Sequence, residues 1–324
     1  MSSTSTTQAS PTPRASGQAV LTGVYVNLDQ LLGLRHKQYQ SLNAQSRIVG
    51  NRAGQKLSKV KGRGVDFTEV RPYQPGDDVR TMDWRVTARK NKPHTKVFRE
   101  ERERPVLIAL DQTQNMFFGS KVRLKSVAAA EIATRIAWAN LAAGDRIGGI
   151  VFGNNVQLVH KPVRSTKSVA RLLNTICDQN NTLHRHDSDH PAVSRDVIFQ
   201  SVQDGLLQLR RLCKTNYRVF VISDFSFPSE FWGEHLHQLA RSNEVFMVHI
   251  NDPLDADLPP ADHYAVSDGQ SRLQFYTGES GLRTRYQKRY AHHLKELQAL
   301  CAHDAMRFQS VSTDDVNLDR LHWV

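Results

Sequence analysis

The stretch "PVLIALDQTQNMFFGS", residues 105–120, decides the reading of this 324-residue chain. Its run "VLIAL" (106–110) is apolar without alternation, the pattern of a strand covered on both faces, as in a parallel sheet. The strand closes on an acid, Asp111, and the loop behind it places Thr113 and Asn115 at i+2 and i+4.

Downstream, strands and helices alternate. "KSVAAAEIATRIAWANLAAG" (125–144) predicts a helix whose alanines permit close approach to a sheet, stopped by Gly144. "DRIGGIVF" (145–152) predicts a strand with "VQLVHKP" (156–162) as its hairpin partner. Helices follow at 165–179 and 195–213, then "YRVFVISD" (217–224), a second strand that ends in an acid, Asp224. A helix at 229–242, a strand at 244–252, a long helix at 282–304 and a strand at 306–313 complete the series, before a short terminal helix. Strands separated by helices imply an α/β fold, a doubly wound, mostly parallel sheet over 105–324.

Upstream, residues 1–22 are rich in Ser, Thr and Pro without an apolar core, and read as a disordered tail. Residues 23–104 read as an N-terminal helix (24–47, apolar at Leu28, Leu31, Leu32, Leu34 and Tyr39) and a small β-rich module. Gly50, Gly54, Gly62, Gly64 and Gly76 punctuate the module, with a turn at Pro75-Gly76 and an exit strand over 94–104.

A hydrophobic content of 39% and a charged content of 23% are those of an ordinary globular protein, and no apolar run approaches bilayer length. The net charge of +11 admits nucleic acid, anionic lipid or an acidic protein as partner. The basic residues are scattered, though. In "FREERERP" (98–105) arginines alternate with glutamates, and no helix-turn-helix, zinc-finger or RNA-binding signature is present. Cys177, Cys213 and Cys301 lie far apart, which argues for small core residues in a reducing cytoplasm. No P-loop motif occurs.

Ligands of open parallel sheets gather outside the carboxyl ends of the strands. Asp111, Thr113 and Asn115 from one loop and Asp224 from another offer oxygen ligands for a hard cation such as Mg²⁺. The plainer alternative is that each acid only caps the turn behind it. "HRHDSDH" (184–190) offers His184, His186 and His190 as zinc ligands, or simply a polar surface loop. His292 and His293 lie on a basic helix that is either a solvated face or a surface for acidic lipid or protein.

The Asp-x-Thr-x-Asn run, with "VISDF" further on, resembles the metal-ion-dependent adhesion site of von Willebrand factor A domains. The stretch "GRGVDFTEVRPYQPGDDVRTMDWRVTARK" (62–90) then resembles the signature of the domain of unknown function 58 family. Members are von Willebrand factor A-like proteins typically encoded beside MoxR-type AAA+ ATPases. The adhesion site is usually Asp-x-Ser-x-Ser with a threonine and an aspartate from other loops. Here Thr113 and Asn115 replace the serines, and Thr182 is the nearest candidate for the threonine, so the resemblance implies a degenerate site. In such domains a partner's carboxylate commonly completes the metal's coordination.

The signature interleaves Asp66, Glu69, Arg71, Asp77, Asp78, Arg80, Asp83 and Arg85 with Phe67, Tyr73, Gly76 and Trp84. Arg71 or Arg85 against Asp77 or Asp83 is expected to lock an irregular loop by charge-assisted bonds, half buried beneath Trp84. The segment either staples the module to the α/β domain or presents a docking face to an ATPase.

The resemblance therefore implies a non-enzymatic cytoplasmic adaptor that works with a MoxR-type ATPase in maturation or remodelling of an unidentified client protein. The alternatives are a metal-dependent hydrolase using Asp111 and Asp224, and a basic nucleic-acid binder.

Overall fold

The computed structural model describes residues 20–35, 65–100, 104–154, 157–184, 193–267, 272–279, 281–302, 305–316 and 318. Residues 1–19 of the expected tail (1–22), much of the expected helix 24–47 and the stretch 185–192 holding His186 and His190 lie outside the described residues, while Val20 and Leu21, expected in the tail, pack against the core. The chain divides into two units, one comprising 1–44 with 105–324 and the other 45–104. The N-terminal segment thus groups with the α/β unit rather than with the small module. The reason is apolar: Val26, Leu31 and Leu34, the last two on a helix over 28–35 (α1), are sealed in the α/β core. Burial of each such side chain contributes about 1.5–3 kcal/mol.

The α/β unit is built on β3 (Pro105–Asp111), β4 (Arg146–Phe152), β5 (Gln157–Val163), β6 (Arg218–Ser223), β7 (Glu244–Asn251) and β10 (Met306–Ser312). They form one six-stranded sheet in the order β10-β7-β6-β3-β4-β5, parallel except for the β4–β5 pair. The doubly wound, mostly parallel α/β expectation holds.

The apolar run of β3 shows why. Val106, Ile108 and Leu110 enter one core with α3 (Lys125–Ala142) and α4 (Thr166–Asn181), while Leu107 and Ala109 enter another with α5 (Arg195–Leu212), α6 (Ser229–Ala240) and α8 (Leu282–Leu300). The alanines of α3 from Ala128 to Ala139 are buried, so this helix lies between the sheet, α4 and the N-terminal segment. Across the sheet, Gly205 of α5 lies against Phe152, where an added Cβ would meet the ring at 2.9 Å.

A short α7 (Pro253–Ala256) follows β7, and a hairpin of β8 (His263–Ser267) and β9 (Arg272–Tyr276) precedes α8. That hairpin is absent from the sequence reading, although "HYAVS" (263–267) and "RLQFY" (272–276) carry the aromatic and β-branched residues that strands favour.

The second unit, over its described residues, is an antiparallel ribbon of β1 (Val65–Pro72) and β2 (His94–Glu100), with α2 (Trp84–Lys90) between them. None of the described helices is long and apolar enough to cross a membrane.

Candidate functional site

The two acids stand where the strands open to solvent, at neighbouring positions because β3 and β6 pair directly. Asp111 ends β3 and is buried at 2% exposure. Its Oδ1 accepts from the Thr113 amide at 2.9 Å and the Thr113 hydroxyl at 2.7 Å, and its Oδ2 accepts from the Ser223 hydroxyl at 2.7 Å. Asp224, one residue past β6, accepts from the Ser226 amide through Oδ1 at 3.1 Å. Asn115 donates its amide to the Ser226 hydroxyl at 3.1 Å. The loops are therefore laced together by Ser223 and Ser226, two residues the sequence reading passed over. The "SDFS" run around Asp224 was the available signal.

Burial pushes the Asp111 carboxyl up to about 6, and repulsion from Asp224 adds to this, while hydrogen bonds from Ser223 and Thr113 oppose it. Burial by itself would lower Lys125, yet Asp224 and Asp255 hold its ammonium above the ordinary value. Lys125, the first residue of α3, sits 2.7 Å from Asp255 Oδ2 and 3.8 Å from Asp224 Oδ2. A divalent ion bonded to Asp224 Oδ2 at about 2.1 Å would lie within about 6 Å of that ammonium. Repulsion at that separation is on the order of 5 kcal/mol with the dielectric usual for protein sites. A dication shared through Asp224 does not suit this donor set.

Thr182 lies at the end of α4, exposed, with its hydroxyl donating to the Gln179 carbonyl. That bond completes the helix end. Among the described residues no group of three or more His, Cys, Asp and Glu is arranged to hold a metal. His184 offers its carbonyl, which accepts from Gln114 Nε2 at 2.7 Å.

Behind the site, Gln112 links the edge to the N-terminal segment. Its amide donates to Ser126 O, its carbonyl accepts from Asn180, and Asn180 Oδ1 accepts from the Val26 amide at 2.9 Å. Exposed Val24, Tyr25 and Phe118 form an apolar flank, with Tyr25 and Phe117 rings 5.9 Å apart.

In the second unit, Arg71 pairs with Asp77 at 2.8 Å, as one of the expected combinations. Asp77 also accepts from the Gln74 amide, and that bond first and Arg71 second hold its carboxyl below the ordinary value. Gly76, at φ +106°, takes a backbone conformation that a side chain would strain. Asp78 caps the turn at Val79–Thr81, accepting from the Arg80 amide. Asp83 caps α2 through the Arg85 and Val86 amides and lies 3.7 Å from Lys96. It is the Arg85 backbone, then, that meets Asp83. Trp84 does not cover this network: it is 70% exposed, because as the first residue of a two-turn helix it has no layer to enter. Tyr73 donates its amide to Pro93 O, and the backbones of Asp66, Phe67 and Glu69 lie on β1.

Over 231 residues the chain is 29% identical to Uncharacterized protein Mb1516 of Mycobacterium bovis and to Uncharacterized protein Rv1480 of Mycobacterium tuberculosis, which covers 71% of this chain and 68% of each relative. Among solved structures it is similar to the conserved hypothetical protein BatB from Bacteroides thetaiotaomicron, with a TM-score of 0.38, 15% identity and coverage of 64% of this chain and 89% of that one. It is also similar to the SpRpn10 VWA domain, with a TM-score of 0.34, 11% identity and coverage of 66% and 92%. The model of one family matches residues 69–296, most of the signature and the α/β unit from β3 into α8, and the chain belongs to that family, described as protein of unknown function DUF58.

Proposed function

We propose that this protein is a protein-interaction adaptor that uses the Asp111–Asp224 edge of its sheet to grip another polypeptide, with a MoxR-type AAA+ ATPase as partner. The observation that carries the reading is the lacing of two loops by Ser223 and Ser226, beside the exposed Phe118 and Tyr25. A preorganised polar patch next to exposed aromatic surface suits recognition, since interfaces combine aromatic anchors with a polar rim. The ATPase as partner rests on the family resemblance, as does the client protein. The proposal includes no bond-making step and no nucleic acid, and it places the adaptor in the cytoplasm.

Immobilised protein exposed to the purified MoxR-type ATPase of the same organism tests this. Asp111→Ala with Asp224→Ala should weaken capture about tenfold or more, a loss of roughly 1.4 kcal/mol, with an unchanged circular dichroism spectrum. Equal capture by the double variant removes the edge as the interface. No capture by the native protein removes the partner class.

A further inference from the structure

Lys125 breaks two local preferences at once. A lysine side chain is rarely buried, yet this one is 7% exposed. It also opens an 18-residue helix, where the aligned peptide dipoles favour an anion. Departures of this kind concentrate where a residue serves a site rather than the fold.

Its partners are themselves held. Asp255 Oδ2 accepts from the Asp252 amide at 2.8 Å within the capping box of α7, and also receives the Lys125 ammonium. Asp224 is fixed by the Ser226 amide. The loop after β6 and the short α7 after β7 thus each contribute a carboxylate to one buried ammonium, which rests 5.4 Å from the Phe118 ring centre. A cavity of about 480 Å³, lined among others by Lys125, Asp224, Asp255, His249 and Tyr290, opens beside it.

We propose that the Lys125 ammonium is the resident cation of this edge, standing in for a divalent ion and making the Asp111–Asp224 surface metal-independent. The ammonium neutralises Asp224 from within, draws it toward Asp255, and leaves a dication no site free of like charge. The proposal deepens the adaptor reading and relies on it only for the surface's purpose.

The test reads metal alone. Native protein, Asp224→Asn, Lys125→Met and the pair Lys125→Met with Asp224→Asn are titrated with Mn²⁺, free ion being counted by electron paramagnetic resonance and folding checked by circular dichroism. Native protein should leave Mn²⁺ free up to about 1 mM, the weak end of hard-cation protein sites. Lys125→Met should gain one equivalent at about tenfold or greater affinity, and Asp224→Asn should abolish the gain. Where the methionine variant does not fold, Lys125→Gln replaces it, since its amide still donates to Asp255. Uptake by native protein that Asp224→Asn alone abolishes overturns the proposal. So does a neutral variant that takes up no more Mn²⁺ than native protein. Neither result bears on ATPase capture, so this inference and the adaptor reading fail separately.

Discussion

Two buried carboxylates of the α/β unit stand in opposite electrostatic conditions. Glu131, on α3, is matched by two guanidinium groups: Oε2 meets Arg123 at 2.5 Å and Oε1 meets Arg135 at 2.7 Å. Oε2 also accepts from the Leu21 amide, and Arg123 donates to the carbonyls of Leu21 and Asp315. Asp111 receives only hydroxyl and amide donors and faces a second carboxylate. The first arrangement ties residues near both ends of the chain to a helix, with the carboxylate matched on each oxygen by a guanidinium group. The second keeps a buried carboxylate under repulsion just inside the carboxyl edge of the sheet, as interaction and catalytic sites often do.

The contrast breaks most visibly if Glu131 is neutralised. Glu131→Gln leaves two buried arginines without their anion and should cost about 3–5 kcal/mol, read as a lower urea midpoint. A change below about 1 kcal/mol would make the triad ornamental. Leu31→Ala probes the segment this triad secures by apolar means alone. Leu31 is fully buried, so a loss of about 2–4 kcal/mol is expected in the same assay.

Asp111→Asn should act in the opposite direction. An unfolded aspartate titrates near 3.9, and the native group is raised to about 6, so between these values the native state binds more protons. Native stability therefore falls as pH rises through that window, and the penalty persists above it. The asparagine variant should lack this slope and be up to about 3 kcal/mol more stable near neutrality. A native protein whose stability rises from pH 4 to 6 while the variant's stays flat would refute the assignment to Asp111. At the small end, Asp77→Asn should leave the midpoint of the α/β unit unchanged. Its effect should be confined to faster hydrogen exchange at the Gln74 amide, which now bonds that carboxylate.

The sequence makes the sheet legible because parallel strands are apolar on both faces, and because Asp111 and Asp224 follow such runs directly. Chain order alone puts these acids at one edge. It does not say that β3 and β6 are neighbours, which sets the two loops side by side. Lys125 escapes notice for a related reason. A lysine opening an alanine-rich helix reads as a solvated start, and only the arrival of Asp224 and Asp255 from distant strands makes it a buried cation. Trp84 errs the other way, since an aromatic among charges suggests a cover, yet α2 has only seven residues and no buried side chain. Of the signature's charges, Asp78 and Asp83 become interpretable as caps once the turn and helix that start behind them are known.

The chain enters the α/β unit at its N-terminal segment, leaves to build the signature unit, and comes back at Pro105. Val26, Leu31 and Leu34 stay behind in the core throughout that excursion. A protease cut inside the excursion would therefore sever the polypeptide without releasing either piece. The short fragment would remain clasped by the long one, and the two expressed separately are a natural pair for reconstitution.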